Sequence, residues 1–182
     1  MPPIISTNEK MKRKTSEQLR KSALKLGARK AKVIRAATIK TAGWVRNKCR
    51  FGCSGYGHCL TCPPHTPAPH ETRAMLADYK KAILVQVTDK EHAHVSGIVS
   101  KLEREAFLAG YHQAFGMGAG PCTICETCDF AGGCRHPEKA RPSLEACGID
   151  VFATVRANGL PIETIGDNDY SKAHYYGIVL LE

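Results

Sequence analysis

The pattern of apolar and polar positions predicts a helix near the start of the chain and a strand directly after it. The helix begins with the capping-box spacing Thr15-Ser-Glu-Gln18, and one face carries Leu19, Ala23 and Leu26. Gly27 is well placed to end it. The segment AKVIRAATI, about residues 31–39, mixes β-branched residues with alternation and therefore predicts a strand.

The middle of the chain predicts a second strand and a long helix. The short apolar run AILVQV, about residues 82–87, is typical of a buried strand. A second capping box, Thr88-Asp-Lys-Glu91, precedes an amphipathic helix whose apolar face comprises Val95, Ile98, Val99, Leu102, Ala106 and Ala109. The segment GMGAGP at 116–121 follows the end of this helix.

The last part of the chain completes the predicted architecture. We expect a helical stretch around 143–157 with a stop at Asn158-Gly159, and two closing strands in LPIETI and HYYGIVLLE. These elements predict an α/β (α+β) sandwich with a small mixed sheet and flanking helices. We expect a disordered basic tail over residues 1–14 and one α/β domain over 15–182, with cysteine-rich loops at about 49–64 and 120–137.

The cysteines change the picture from a plain domain to one that carries chemistry. Eight of the nine fall into two groups: Cys49, Cys53, Cys59 and Cys62, then Cys122, Cys125, Cys128 and Cys134. No secretory signal is recognisable at the start, and no apolar run approaches the roughly 20 residues that a membrane span needs. We therefore expect a cytoplasmic protein, in whose reducing surroundings clustered thiols indicate metal ligation or redox catalysis.

The second group favours an iron–sulfur cluster over zinc. Cys122-x2-Cys125-x2-Cys128 lets one loop present three thiolates to three different irons of a cubane, whereas a zinc ion usually takes pairs from two separate knuckles. Cys134 follows at a longer spacing, so it can serve this cluster or the other one. The surrounding glycines predict either backbone N–H groups aimed at cluster sulfurs or helix termination: Gly116, Gly118, Gly120, Gly132 and Gly133.

The first group is less regular. Cys59-x2-Cys62 has a bite suitable for any thiophilic metal, and Cys49 with Cys53 can complete a four-thiolate site. Cys147 stands apart in a predicted helix and is interpreted as a small buried apolar residue. Four histidines close to the two groups can act as ligands or proton donors: His58, His65, His70 and His136.

The chain resembles the DUF2284 family of predicted metal-binding proteins. The resemblance is carried by ALKLGARKAKVI, by the segment from Cys49 to Cys62-Pro-Pro, by GAGPC-x2-C-x2-C with CRHPEKARPS, and by EACGIDVF. It implies metal binding, with iron–sulfur as the expected type. It also implies that Cys49, Cys53 and Cys62 belong to the core of the first site, which would leave one iron of a cubane open.

Three functions remain open. Two [4Fe–4S] clusters would make the chain an electron-transfer module for a redox partner protein, which is the function we rank first. An incompletely ligated cluster would make it an enzyme acting on a small-molecule substrate. Zn²⁺ in place of iron would make it a binding module. Nucleic acid would then be a candidate ligand, because the formal net charge is +9. The basic segment lacks the interleaved aromatic residues of a single-strand binding groove, which argues against nucleic acid. Catalytic residues and oligomeric state are not predicted.

Overall fold

The computed structural model describes residues 13–88, 92–165 and 173–182, with the backbone alone at 92 and 93. Helices and strands follow one another in these residues: α1 Ser16–Lys25, β1 Lys30–Arg35, α2 Gly43–Gly52, α3 Pro69–Leu76, β2 Lys81–Val87, α4 His92–Leu108, β3 Phe115–Met117, α5 Val151–Ala157 and β4 Tyr175–Leu180. Two short 3-10 turns occupy Ala36–Thr38 and Glu145–Cys147.

The four strands form one sheet in the order β1-β2-β4-β3. In the centre of the sheet, Ile83 of β2 lies opposite Val33 on one side and Val179 on the other. The predicted α+β class is confirmed. Every described strand pairing is antiparallel, so the sheet is not mixed as expected. Strands β2 and β3 run in the same direction on either side of β4, and α4 lies in the connection that carries the chain from one to the other.

Apolar side chains cover both faces of the sheet and make two cores. Ile83, Val85 and Val87 of β2 pack with α1 and α4 on one face. Ala82 and Leu84, the intervening positions of β2, pack on the other face against α5 and the turn before it. Because successive side chains of a strand point to opposite faces, the central strand is buried on both sides, as the unbroken run AILVQV predicted.

The helix and strand predictions are confirmed for α1, β2, α4 and β4. The strand expected over about 31–39 is confirmed only as far as Arg35, because Ala36–Thr38 form a 3-10 turn. At the start of α1, the Thr15 hydroxyl accepts from the Gln18 N–H at 3.2 Å and the Gln18 side chain accepts from the Thr15 N–H at 2.8 Å. Most of the predicted capping box at 88–91 lies outside the described residues, as do residues 1–12 of the expected tail. Arg13 and Lys14 contact the domain through Glu182 and Glu105.

Two predictions for the C-terminal part are wrong. The helix expected around 143–157 is interrupted at Gly148, which has φ of 73° and separates a 3-10 turn from α5. The segment LPIETI, expected as a strand, forms none in the described residues. Pro161 has no N–H to give to a strand pairing, and its carbonyl instead accepts the hydroxyl hydrogen bond of Tyr176.

The loop predicted around the first cysteine group contains the ends of two helices. Cys49 lies on α2, whose first turn has no side-chain cap, and α3 begins at Pro69. The frequent glycines and prolines obscured both helices. The short strand β3 was also missed, since the prediction placed Gly116 in a loop.

Glycines on β3 and β4 give α4 room to pack. A Cβ on Gly116 would lie 2.5 Å from a methyl of Val99, and a Cβ on Gly177 would lie 2.6 Å from the other methyl of the same residue. Gly120 and Gly133 do have positive φ, of 69° and 84°, as expected for the cysteine loop. Within GMGAGP, Gly116 therefore lets α4 pack closely, and Gly120 provides the positive φ at the start of the cysteine loop.

Candidate metal centres

Five cysteines line one cavity of about 130 Å³, which we call the five-cysteine cavity. They come from both sequence groups: Cys59, Cys122, Cys125, Cys128 and Cys134. A single water requires only about 10–15 Å³ measured in this way, so the space exceeds what one ion needs. The cavity lies between the loop after α2 and the loop after β3.

Cys59 is the member that the sequence grouping placed elsewhere. Its Sγ lies 3.7 Å from the carbonyl oxygen of Cys122, and the neighbouring N–H of Leu60 donates to the Sγ of Cys128 at 3.4 Å. Cys59 and Cys128 are half-buried, whereas Cys134 is exposed. Cys59 and its neighbour Leu60 therefore contact the second cysteine group, although about sixty residues separate them along the chain.

The remaining three clustered cysteines line a second cavity of about 320 Å³, the three-cysteine cavity. Cys49 comes from the last turns of α2, and Cys53 directly follows that helix. Cys62 begins a turn through the two prolines, in which its carbonyl accepts from the His65 N–H at 2.9 Å. Cys62 is buried, Cys49 is half-buried and Cys53 is exposed. The structure thus places three thiols here, with Cys59 in the other cavity.

The thiols oppose one another's ionisation. Burial, followed by the nearby Cys59, raises the pKa of Cys62 to about 12. Burial, followed by Glu145 and Cys53, raises the pKa of Cys49, and Arg46 only partly offsets this. Several thiolates can coexist in such a place only when a cation balances them, which is the role of a bound metal.

The two cavities meet at Cys59 and Cys62. A side-chain hydrogen bond links these thiols, and the Cys62 N–H also donates to the Cys59 carbonyl at 2.9 Å. Burial, followed by Cys128 and Cys122, raises the pKa of Cys59, so the ionisation of this thiol depends on two other thiols of the five-cysteine cavity. Groups bound in the two cavities would be immediate neighbours.

Arg46 of α2 fixes the backbone around the three-cysteine cavity. Its guanidinium donates to the Ala146 carbonyl at 2.5 Å and to the Thr66 hydroxyl at 2.8 Å. Thr66 itself donates to the same Ala146 carbonyl at 2.6 Å. These bonds hold α2, the segment after Cys62 and the 3-10 turn at 145–147 together.

A larger cavity of about 600 Å³ adjoins the three-cysteine cavity and shares Cys49 and Cys53 with it. Its polar lining includes Lys48, Glu145 and His174. Burial raises the pKa of the Glu145 carboxyl. Sequence reasoning missed these three residues; Glu145 lay within the family segment EACGIDVF, and Lys48 directly precedes a cysteine.

The other candidate residues have varied positions. Cys147 is 1% exposed within the second core, in agreement with a packing role, and burial raises its pKa to about 12. His58 and His136 line the five-cysteine cavity, whereas His65 packs on Phe130 with ring centroids 5.0 Å apart. His70 is an exposed residue of α3.

The metal-ligating side chains of the described residues do not converge on one point. No three described Cys, His, Asp or Glu side chains converge closely enough to hold a single metal ion. A cubane spreads its thiolates over separate irons, whereas zinc draws all ligands to about 2.3 Å from one centre. In addition, no backbone N–H from 122 to 131 donates to another described residue.

A family described as predicted metal-binding protein, DUF2284, matches residues 32–181. This span contains all nine cysteines. Neither a curated protein nor a solved structure matches the chain. Among the described residues, no helix is both long and apolar enough to cross a membrane.

Proposed function

The chain belongs to the DUF2284 family of predicted metal-binding proteins, and we propose that it holds two [4Fe–4S] clusters and transfers electrons for a partner enzyme. The observation that carries this proposal is the separation of eight cysteines into two adjoining cavities that meet at Cys59 and Cys62. Such clusters exchange single electrons, and thiolates so close together suit transfer between them. The reducing cytoplasm would keep these thiols available for iron.

The residues assigned to each cluster follow from their positions. Cys59, Cys122, Cys125 and Cys128 would hold the cluster in the five-cysteine cavity, with the exposed Cys134 as a neighbour. Cys49, Cys53 and Cys62 would hold the cluster in the three-cysteine cavity. Free N–H groups of the second loop would donate to sulfur and thereby tune the reduction potential.

The first experiment measures iron, zinc and acid-labile sulfide per chain after purification without oxygen. We expect about eight irons and about eight sulfides, with an EPR signal that appears after reduction by dithionite. One or two zincs without sulfide would overturn the proposal and make the thiols structural. Nucleic-acid binding would then be the next function to test, because of the charge of +9.

The three-cysteine cavity favours a second candidate function, an enzyme whose cluster binds substrate. Three thiolates leave one iron of a cubane without a protein ligand, and the 600 Å³ cavity beside them has the size of a small-molecule site. An open iron can act as a Lewis acid toward a bound substrate. Lys48 and Glu145 would orient such a substrate through its charged groups.

Exogenous cyanide separates the two candidates. An open iron binds cyanide and its EPR signal changes, whereas a fully ligated cluster keeps its spectrum. A Cys53→Ser variant, which leaves the lining of the five-cysteine cavity unchanged, controls for cyanide acting at the other cluster. An unchanged spectrum in the parent protein would remove the enzyme candidate and leave electron transfer.

A further inference from the structure

A third cavity of about 410 Å³ lies between α4 and the start of the second cysteine loop. Ser96, Ser100, Lys101 and Arg104 project into it from successive turns of α4. Lys139 contributes from the opposite side. We call this the basic cavity; no part of the proposed electron transfer uses it.

The basic cavity has an excess of unpaired positive charge. Lys101 and Arg104 are exposed and form no ion pair with any described residue. Lys139 lies 3.8 Å from the Glu138 carboxylate, in a pair with both side chains more than half exposed, which contributes little. A concave site with such a balance attracts anions.

A fourth cation of the basic cavity, Arg141, stabilises the wall of the cavity and does not serve as a binding group. Arg141 donates to the two carboxylate oxygens of Glu103 at 2.5 and 2.7 Å, and both side chains are largely buried. This bidentate pair fixes the segment that carries Lys139 against α4. The pocket is therefore held open by an internal ion pair while Lys101 and Arg104 remain available.

We propose that the basic cavity binds a small organic phosphate. An arginine fork and lysine ammonium groups recognise phosphate oxygens, and the hydroxyl of Thr123, which also lines the cavity, supplies a further donor. Pro121 and Ile124 provide an apolar wall for the organic part. The volume of 410 Å³ exceeds that of inorganic phosphate and falls in the range of small-molecule sites.

The site is coupled to the five-cysteine cavity through Cys122, which lines both. This coupling rests on the proposed function, since it requires a cluster on Cys122. A bound anion adds negative charge beside the cluster and makes its reduction less favourable, so phosphate binding lowers the reduction potential. By linkage, the reduced protein binds the phosphate more weakly than the oxidised protein does.

The binding test uses AMP as the probe and adenosine as its phosphate-free counterpart, measured by isothermal titration calorimetry on the full chain. We expect AMP to bind, adenosine not to bind, and Lys101→Ala/Arg104→Ala to weaken AMP at least about tenfold. The matched control is Lys21→Ala/Arg29→Ala, which removes one exposed lysine and one exposed arginine outside the cavity and should leave AMP affinity unchanged.

Several results would overturn the proposal. Equal affinity for AMP and adenosine would show that the phosphate is not recognised, and equal AMP affinity in both double variants would place binding elsewhere. Citrate binding as tightly as AMP would make the cavity a general anion site. Absence of AMP binding, together with slower reduction of K101A/R104A by an acidic donor protein, would assign the same cations to protein docking.

Iron and sulfide contents of the same samples keep this proposal separate from the function. AMP binding to protein that holds no clusters would support the phosphate site and contradict the electron-transfer proposal. With clusters present, a redox titration with and without AMP tests the coupling. We expect a lower potential for one cluster in the presence of AMP, and an identical pair of potentials would refute the coupling.

Discussion

Burial and neighbouring thiols together raise the pKa of Cys49, Cys59 and Cys62. Cys62 is the extreme case, because burial and the surrounding thiols, Cys59 first, raise its pKa to about 12. Without metal, such thiols are protonated at neutral pH. Metal binding must then release protons, so loading becomes less favourable as the pH falls.

The first prediction distinguishes the fourth ligand of the five-cysteine cavity. We expect Cys59→Ala to remove that cluster, which lowers iron by about four atoms per chain, because Cys59 lies against Cys122 and Cys128. Cys134→Ala should retain iron, since the four other cysteines of the five-cysteine cavity are enough to ligate a cubane. Iron analysis and visible absorbance of both variants decide the matter. Retained iron in Cys59→Ala with loss in Cys134→Ala would reverse the assignment.

The second prediction concerns alkaline pH and two residues of the core. Burial raises the pKa of Cys147 and of Tyr176 to about 12, so both are neutral in the folded protein at pH values where the unfolded chain ionises. The stabilisation is complete below about pH 9 and is lost as the pH rises through 12. Each group can contribute a slope of at most about 1.4 kcal/mol per pH unit.

Thermal unfolding of metal-free protein between about pH 8 and about pH 11 measures this effect, because cysteine and tyrosine side chains ionise within this range in the unfolded chain. The double variant Cys147→Ala/Tyr176→Phe should lose stability less steeply with pH than the parent, although it is less stable at pH 8. Its iron content after loading should match the parent, because neither residue lines the five-cysteine cavity or the three-cysteine cavity. Parallel pH profiles would contradict the expectation.

At the level of elements, apolar periodicity was sufficient to predict a helix or strand from the sequence where one of its faces meets a core. The long helix α4 and the strand β2 were predicted because their buried residues recur with helical or strand spacing. Helix α2 carries a single buried residue, Val45, and has glycine at both ends. Its position depends on Arg46 and distant carbonyls, which leave no periodic signal in the sequence.

The same distinction holds for the site. Spacing identified the eight clustered cysteines as one kind of chemistry, and nothing in the spacing separates Cys59 from Cys62. Their separation arises because the turn between them directs Cys59 toward Cys122 and leaves Cys62 buried beside Cys49 and Cys53. Glu145 and His174 reach the neighbouring cavity from parts of the chain far from α2, so only the fold brings them there.

The third prediction tests the element that holds the three-cysteine cavity. Arg46→Ala should lower the free energy of unfolding by about 2–3 kcal/mol, because it removes charged hydrogen bonds to the Ala146 carbonyl and the Thr66 hydroxyl. Arg50→Ala removes an exposed arginine from the same helix and should change stability by less than about 0.5 kcal/mol.

Denaturant unfolding of the metal-free variants measures the two free energies, and iron analysis then reports on the cavity itself. We expect Arg46→Ala to load less iron than Arg50→Ala, since Cys49 and Cys62 lie on the segments that Arg46 joins. Equal stability and equal iron in the two variants would show that Arg46 does not organise this site.

In the whole molecule, the cores and the cysteine cavities are separate. Both cores form from the sheet and its helices, and the clustered cysteines lie outside them, with Cys49 on α2 and the others outside the helices and strands. Small zinc-finger domains depend on metal because they have little else to bury. Here the two apolar cores cover both faces of a four-stranded sheet, so the architecture has its own source of stability.

The fourth prediction follows from this separation. Removal of metal should leave the far-UV circular dichroism spectrum and a cooperative unfolding transition largely intact, while lowering the transition temperature, because bound clusters stabilise only the folded state. Trypsin should cleave the metal-free protein first after the exposed Arg135 of the second cysteine loop and after the exposed Arg50 near the end of α2. Leu84→Ala, which empties a fully buried position of β2, should cost about 2–5 kcal/mol with clusters bound or absent. If metal removal instead abolishes the cooperative transition while Leu84→Ala has little effect, the clusters and not the apolar cores hold the fold.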